Sequence, residues 1–416
     1  MGRRSGNHMK WMNNRQWTIG MVVWLGTASA WAVYNPFPLR DATRAWSVSL
    51  YSRGGYDDNI NTSSKNRDGS TTFYISPQVL LNLALEETFA GLRYSYGATY
   101  YTERSTRSSS GAWDQSHSAD FLFSHQFGPR LVLDINDRLR RGVEPELVEY
   151  QAGQPVTVRR VGDYYYNNLN GVLTYNLSRR WTVSTSGSWQ LWRYDDSVLA
   201  SNSDYNVYQS VNTLQYSLDP QTYVGANYRF SATRYSEPGL NNGRDSDSHA
   251  VYASLMHRFN PKLTGSVNTG YEYREYRDDA TAESPYGTLS LSYSYAPGSA
   301  LTMGLSYSFS DSAPGYSSYR TAESLVGSLQ VSHLVTPKLR LSVDTAYGFS
   351  TYKDPLTGSP SATVSPQTVS VGAVARYSFT SWVSAELSYY YNLQYGDSEV
   401  TDFYRNRIYL GVWFVY

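Results

Sequence analysis

From Leu301 the chain alternates. Leu301, Met303, Leu305, Tyr307 and Phe309 are apolar or aromatic, and Thr302, Gly304, Ser306, Ser308 and Ser310 between them are small or polar. The same period of two sets Leu339, Leu341, Val343, Tyr347 and Phe349 against Arg340, Ser342, Asp344 and Gly348. It also sets Val369, Val371, Ala373, Ala375, Tyr377 and Phe379 against Ser370, Gly372, Arg376 and Ser378. Successive side chains of a strand point to opposite faces, so each set lines one face of a strand. Stretches of this kind, about 10–14 residues long, recur from residue 44 to the end, and no stretch holds a helical period beyond two turns.

The connections come in two alternating lengths. Short turns fall at Glu86–Glu87, Gly128–Arg130, Ser178–Arg180, Asp219–Gln221, Asn260–Lys262, Ala296–Gly298, Thr336–Lys338 and Thr380–Ser381. Several carry proline, which presets φ and donates nothing to a central ladder, so they mark strand ends. Between them lie polar segments at about 57–70, 102–116, 142–163, 195–204, 236–247, 277–284, 311–320, 353–366 and 396–402. Eight turns and nine loops make seventeen connections, hence 18 strands. Strict short–long alternation predicts an all-β fold, a transmembrane antiparallel up-and-down β-barrel of about 18 strands over residues 44–416, with short turns on the periplasmic side. A soluble sandwich rarely needs so many equal strands, and a parallel β-helix would repeat without alternating loop lengths.

Residues 1–32 read as a secretory signal peptide. Lys10 and Arg15 are basic, Ile19–Leu25 is apolar, and Ala30-Trp31-Ala32 forms a cleavage triplet that puts the mature start near Val33. Met9 is a candidate initiator, and residues 33–43 read as a periplasmic linker. The apolar run is short for a bilayer of about 30 Å. No second apolar stretch of helical membrane length follows, which leaves strands as the means of insertion.

Composition supports a barrel. Forty Tyr stand against 13 Phe and 11 Trp, and tyrosine suits strands. The mean hydropathy of −0.49 is what strands with one apolar and one polar face average to. The charge is zero, with 35 basic and 35 acidic residues, which gives no support to a nucleic-acid partner. There is no cysteine, so the fold uses no disulfide.

The apolar faces are expected to meet outer-membrane lipid, with Tyr94, Tyr100, Trp181, Trp189, Tyr293 and Trp382 as aromatic girdles. The polar faces then line the lumen. They carry Arg93, Arg138, Arg229, Arg274, Arg340 and Arg376, and Asp120, Asp134, Glu272, Asp344 and Glu386, with Asn136 and Asn227 among them. Charge on the lipid face near the midplane costs about 2–4 kcal/mol, which assigns these residues to the inside. Their mixed signs predict a wet lumen with weak ion selectivity, or pairs that hold the wall rigid. About 18 strands leave an interior too wide for side chains to fill. Loop 142–163, flanked by Arg141 and carrying Glu144, Glu146, Glu149, Arg159 and Arg160, either folds inward as a constriction or projects as a hairpin around Val156-Thr157-Val158.

Catalytic constellations are poor. His117, His125, His249, His257 and His333 lack the i, i+4 spacing of a metal site, so neither metal nor cofactor is expected. Asp247 and His249 form an acid–histidine couple near the outer rim, without a nucleophile or paired carboxylates to complete it.

Two resemblances add to this reading. Gly411, Phe414 and Tyr416 resemble the terminal signal of outer-membrane barrels, which implies recognition by the barrel-assembly machinery. Gly55-Tyr56-Asp57-Asp58-Asn59-Ile60 and Ile75-Ser76-Pro77 resemble the opening of a β-barrel porin family found beside exopolysaccharide and capsule export genes. That resemblance implies a Gram-negative outer-membrane conduit for an exported polysaccharide, with periplasmic export proteins as partners and no catalytic residues to carry over. On it, Trp192, Tyr390 and Trp413 are candidates for stacking on sugar rings. The alternatives are a general diffusion porin and, from another class, an enzyme or adhesion barrel acting through its surface loops.

Overall fold

The computed structural model describes residues 44–104, 111–143, 162–236, 244–311, 321–353, 365–396 and 402–416. The predicted signal and linker, and loop 142–163 from 144 to 161, lie outside the described residues. The first nine strands are β1 (Trp46–Asp57), β2 (Ser70–Ala84), β3 (Thr88–Tyr101), β4 (Trp113–Gln126), β5 (Leu131–Gly142), β6 (Tyr164–Asn176), β7 (Trp181–Tyr194), β8 (Tyr205–Asp219) and β9 (Thr222–Tyr235). The rest are β10 (Ser246–Asn260), β11 (Leu263–Tyr276), β12 (Thr281–Ala296), β13 (Ser299–Asp311), β14 (Thr321–Leu334), β15 (Leu339–Lys353), β16 (Gln367–Ser378), β17 (Val383–Tyr395) and β18 (Phe403–Val415). Each pairs antiparallel with its sequence neighbours, and β1 pairs with β18, so the 18-stranded sheet closes on itself. All eight short turns fall where the sequence pattern places them.

The two faces differ in chemistry as alternation requires. On β1, Trp46, Val48 and Leu50 are exposed while Ser47, Ser49 and Tyr51 are buried. Met303 and Leu305 on β13, and Leu341, Val343 and Tyr347 on β15, are likewise exposed apolar side chains. Such a wall is stable only against hydrocarbon. Tyr94, Trp181, Trp189, Tyr293 and Trp382 are exposed, and Tyr100 shares the outer face with Trp113, its cross-strand partner. No helix among the described residues is long and apolar enough to cross a membrane, as expected where strands do the crossing.

Three segments differ from the sequence pattern, and in the first of them β4 begins at Trp113, inside the predicted polar loop 102–116. Within the predicted polar loop 195–204, Ser197–Ser203 forms the short helix α1. Asp196 caps it by accepting from Val198 N at 2.9 Å, and a capped helix of 7 residues is too short to leave a periodic signal. The predicted loop 277–284 shrinks to residues 277–280, because Tyr276 N reaches Ala280 O at 2.8 Å and β12 begins at Thr281. Thr281 and Glu283 put polar residues on the outer face there, which hides the strand's alternation. Pro77 illustrates the constraint on proline: the β2–β3 register is continuous except at Ser76 and Pro77, where proline has no N–H to give.

Closure is concentrated at the β1–β18 seam. Nine residue pairs run from Ser49↔Val415 to Asp57↔Arg407. Beyond them Val48 and Tyr416 exchange backbone hydrogen bonds of 3.0 and 2.8 Å. Two glycines let the seam close tightly. A Cβ on Gly55 would stand 2.1 Å from Ile408 O, and one on Gly411 would stand 2.8 Å from the Tyr51 ring. Arg405 grips the Asp57 carboxylate, its Nε 2.9 Å from both oxygens and its Nη2 also on Oδ2, with both side chains almost wholly buried.

Two outcomes follow for stability in lipid vesicles, measured by reversible urea unfolding. Leu305→Arg, on the lipid face at mid-strand, is expected to destabilise by about 2–4 kcal/mol, and Ser306→Arg, facing inward, by well under half of that; equal losses would contradict the assignment of faces. Arg405→Ala leaves Asp57 buried without its cation and is expected to cost about 3–5 kcal/mol, with part of the loss recovered in the Arg405→Ala/Asp57→Ala double variant.

Candidate functional site

Cross-strand partners share a face, so the register carries inside-or-outside from strand to strand. Arg93 pairs with Asp120 and Asp120 with Arg138. Arg340 pairs with Arg376 and Arg376 with Glu386. Followed around the sheet, the register turns Asp134, Arg229, Glu272, Arg274 and Asp344 to the same side. All eleven predicted lumen residues therefore face the interior, together with Asn136 and Asn227.

Their charges are gathered around carboxylates. Asp120, 4% exposed, accepts from Arg93 Nη2 at 2.8 Å, Arg140 Nη2 at 2.9 Å and Arg138 Nε at 3.3 Å. Glu272 accepts from Arg274 Nη2 at 3.0 Å, from Arg229 and from Ser248 Oγ. Glu386 accepts from Arg376 and, at 3.3 Å, from the Tyr51 hydroxyl. Near the seam Arg53 lies 4.3 Å from the Tyr409 ring centroid and 5.0 Å from that of Tyr74, and Arg407 lies 5.4 Å from that of Tyr390. A guanidinium on an aromatic face is held by the ring quadrupole while its N–H edge stays directed elsewhere.

The lumen wall carries more charge than the eleven predicted residues. Arg53, Arg140, Arg258, Arg405 and Arg407 also face inward, as do Asp57 and Asp114. Parity would have found them. Trp413 is inward, so every second residue back along β18, through Gly411, Tyr409, Arg407 and Arg405, must be too. Arg140 is masked by its neighbour Arg141, which faces outward and pairs with Asp195 at 2.6 Å. The outward charges Arg141, Arg193, Arg234, Asp247, Glu275, Glu283 and Glu323 each lie within two residues of the long-loop end of a strand. Asp137 faces outward at mid-strand, where Asn167 Nδ2 donates to it at 2.7 Å.

Aromatic residues form the second inward feature. Tyr166 pairs with Trp192, Trp192 with Tyr205 and Tyr205 with Tyr235, a row across β6, β7, β8 and β9 at their long-loop ends. Tyr164 and Tyr194 pair directly above it. Trp192 has its ring centroid 4.6 Å from Tyr166 and 5.4 Å from Tyr164, and its Nε1 has no protein partner. Tyr390 lies 6.3 Å from Tyr409. Trp413 is different: it is 1% exposed and stacked on Tyr51 at 4.2 Å, so its ring faces are occupied by the wall itself. The sequence pattern assigns tyrosine mainly to girdles, yet Tyr51, Tyr101, Tyr164, Tyr166, Tyr276 and Tyr352 are buried and face inward.

The rim couple of Asp247 and His249 separates. Asp247 binds Arg234 at 2.6 Å, while His249 Nδ1 meets the Tyr228 hydroxyl at 2.8 Å and its ring packs on Phe230. Among the described residues no group of three His, Cys, Asp or Glu side chains is placed to hold a metal. Of the terminal triplet, Gly411 lies under the Tyr51 ring, and Phe414 and Tyr416 are exposed.

Solved structures similar in fold include OccAB4 of Acinetobacter baumannii, 9% identical over 89% of this chain and 98% of that one, with a TM-score of 0.45. The outer membrane protein opdK of Pseudomonas aeruginosa is 12% identical over 89% and 99%, with a TM-score of 0.46. The FrpB iron transporter of Neisseria meningitidis is 10% identical over 85% of this chain and 62% of that one, with a TM-score of 0.43. No curated protein is similar to the chain in sequence. Residues 47–416, the whole barrel from the second residue of β1, match the family described as Putative beta-barrel porin 2, and the chain belongs to that family.

Proposed function

We propose that the chain is exported by its N-terminal signal, inserted into a Gram-negative outer membrane by the barrel-assembly machinery, and serves there as a conduit for an exported polysaccharide. The observation that carries this reading is the inward aromatic row Tyr166–Trp192–Tyr205–Tyr235 at the long-loop mouth of the lumen. Sugar rings present C–H faces that pack on aromatic faces, and hydroxyls that bond to Asn, Ser and Arg side chains. Tyr166 is buried against Trp192, and the half-buried rings of Trp192, Tyr205 and Tyr235 offer successive contacts on which a polymer slides without being held at one point. The resemblance of Gly55–Ile60 and Ile75–Pro77 to a family found beside exopolysaccharide export genes supports the same cargo, and periplasmic export proteins are the partners it calls for.

Trp192→Ala and Tyr205→Ala are expected to weaken block of single-channel current by oligosaccharides about fivefold each, the equivalent of about 1 kcal/mol per aromatic contact, and to lower polymer export in cells. Unchanged block and export, with normal assembly, would overturn the polysaccharide reading and leave a general diffusion porin.

A further inference from the structure

The chain as a whole is neutral, but its inner wall is not. Eleven arginines and seven carboxylates of the described strands face the lumen, an excess of four positive charges. The excess is local as well as total. Three guanidiniums converge on the single carboxylate of Asp120, at 2.8, 2.9 and 3.3 Å, and two converge on Glu272. Around Asp120 the three guanidiniums thus keep net positive charge after pairing with the one carboxylate. At the seam Arg53 and Arg407 lie against tyrosine rings.

The kind of cation also matters. The sequence holds five lysines among its 35 basic residues, and all eleven inward cations named above are arginines. Arginine presents a rigid planar fork that matches the two oxygens of a carboxylate, phosphate or sulfate, whereas lysine is a point charge. A narrow aqueous path with a low-dielectric wall of one net sign concentrates counter-ions of the other sign.

We propose that the lumen selects anions and that its cargo is an acidic polymer, a polysaccharide carrying carboxylate, phosphate or sulfate groups. The identity of the cargo as a polysaccharide rests on the reading proposed above; the anion selectivity rests on the wall charges alone. Aromatic rows would carry the sugar rings, and the arginine groups would meet the acidic substituents in passing. Prior pairing with Asp120 and Glu272 limits how tightly each arginine holds a passing anion, which suits transport better than capture.

The test uses the full chain reconstituted in planar bilayers under a tenfold potassium chloride gradient. The reversal potential is expected to carry the sign of chloride preference, and Arg138→Gln/Arg140→Gln is expected to move it towards zero. Block of the current by oligogalacturonate at low salt is expected at a concentration at least about tenfold lower than block by a neutral gluco-oligosaccharide of the same length, a difference that high salt removes. Cation preference, or equal block by the two sugars, would overturn acidic cargo while leaving a sugar conduit in place. Absence of block by either sugar, with chloride preference retained, would remove the polysaccharide and keep an anion pore. A pore that passes no current is read instead by thiol modification. At Ser306→Cys an anionic sulfonate reagent is expected to react several-fold faster than a cationic ammonium reagent, after correction for their rates on a free thiol. The reverse order would overturn the proposal.

Discussion

A strand crossing hydrocarbon cannot leave its backbone donors and acceptors without partners, because no water is there to take them. For a sheet this leaves one solution, closure. The β1–β18 seam is therefore the contact on which the rest of the barrel depends, since without it both strands would expose a row of N–H and C=O groups to lipid. The seam is reinforced by side chains as well as by its ladder. Arg405 clasps Asp57, Tyr51 lies across Gly411 and on Trp413, and Gly55 admits the backbone of β18. The glycines and the buried ion pair thus belong to the closing of the ring before they belong to any function.

Closure has a second consequence. Once the ring is formed, every strand has a fixed inside, and period two divides the chain's chemistry between two solvents. Lipid receives Leu, Val, Phe and the girdle aromatics. The lumen receives serine, arginine and a large share of the tyrosines. This partition separates charge that the composition balances. A neutral sequence thereby produces, on the described strands, an interior with four more arginines than carboxylates, while the outward charges other than Asp137 named above gather at the long-loop rim.

Strand number and the alternation of short and long connections were legible because alternation and loop length are local signals, readable one strand at a time. The eleven lumen positions followed from the same parity. The seam residues were harder. β1 and β18 are 348 positions apart where Arg405 meets Asp57, and nothing in either segment announces the other. Adjacent Arg140 and Arg141 obscured which of the two is inward, although parity with Arg138 gives Arg140, as the register with β4 and β6 shows. The aromatic row across β6–β9 was invisible for the same reason: Tyr166, Trp192, Tyr205 and Tyr235 are each unremarkable in their own strand and become a row only through pairing. Trp413 could be placed inward by parity, but its stack on Tyr51 is a long-range contact that parity does not contain.

The central claim is that one face of every strand lines a wet lumen and the other meets lipid. The chain has no cysteine, so single cysteines can be placed without background. Cysteines introduced one at a time from Leu301 to Ser308 on β13, in barrels reconstituted in vesicles, test it with a water-soluble thiol reagent. The account predicts strict alternation, with Thr302→Cys, Gly304→Cys, Ser306→Cys and Ser308→Cys reacting and Leu301→Cys, Met303→Cys and Leu305→Cys protected. Uniform reactivity along the strand, or protection of the inward set, would contradict it.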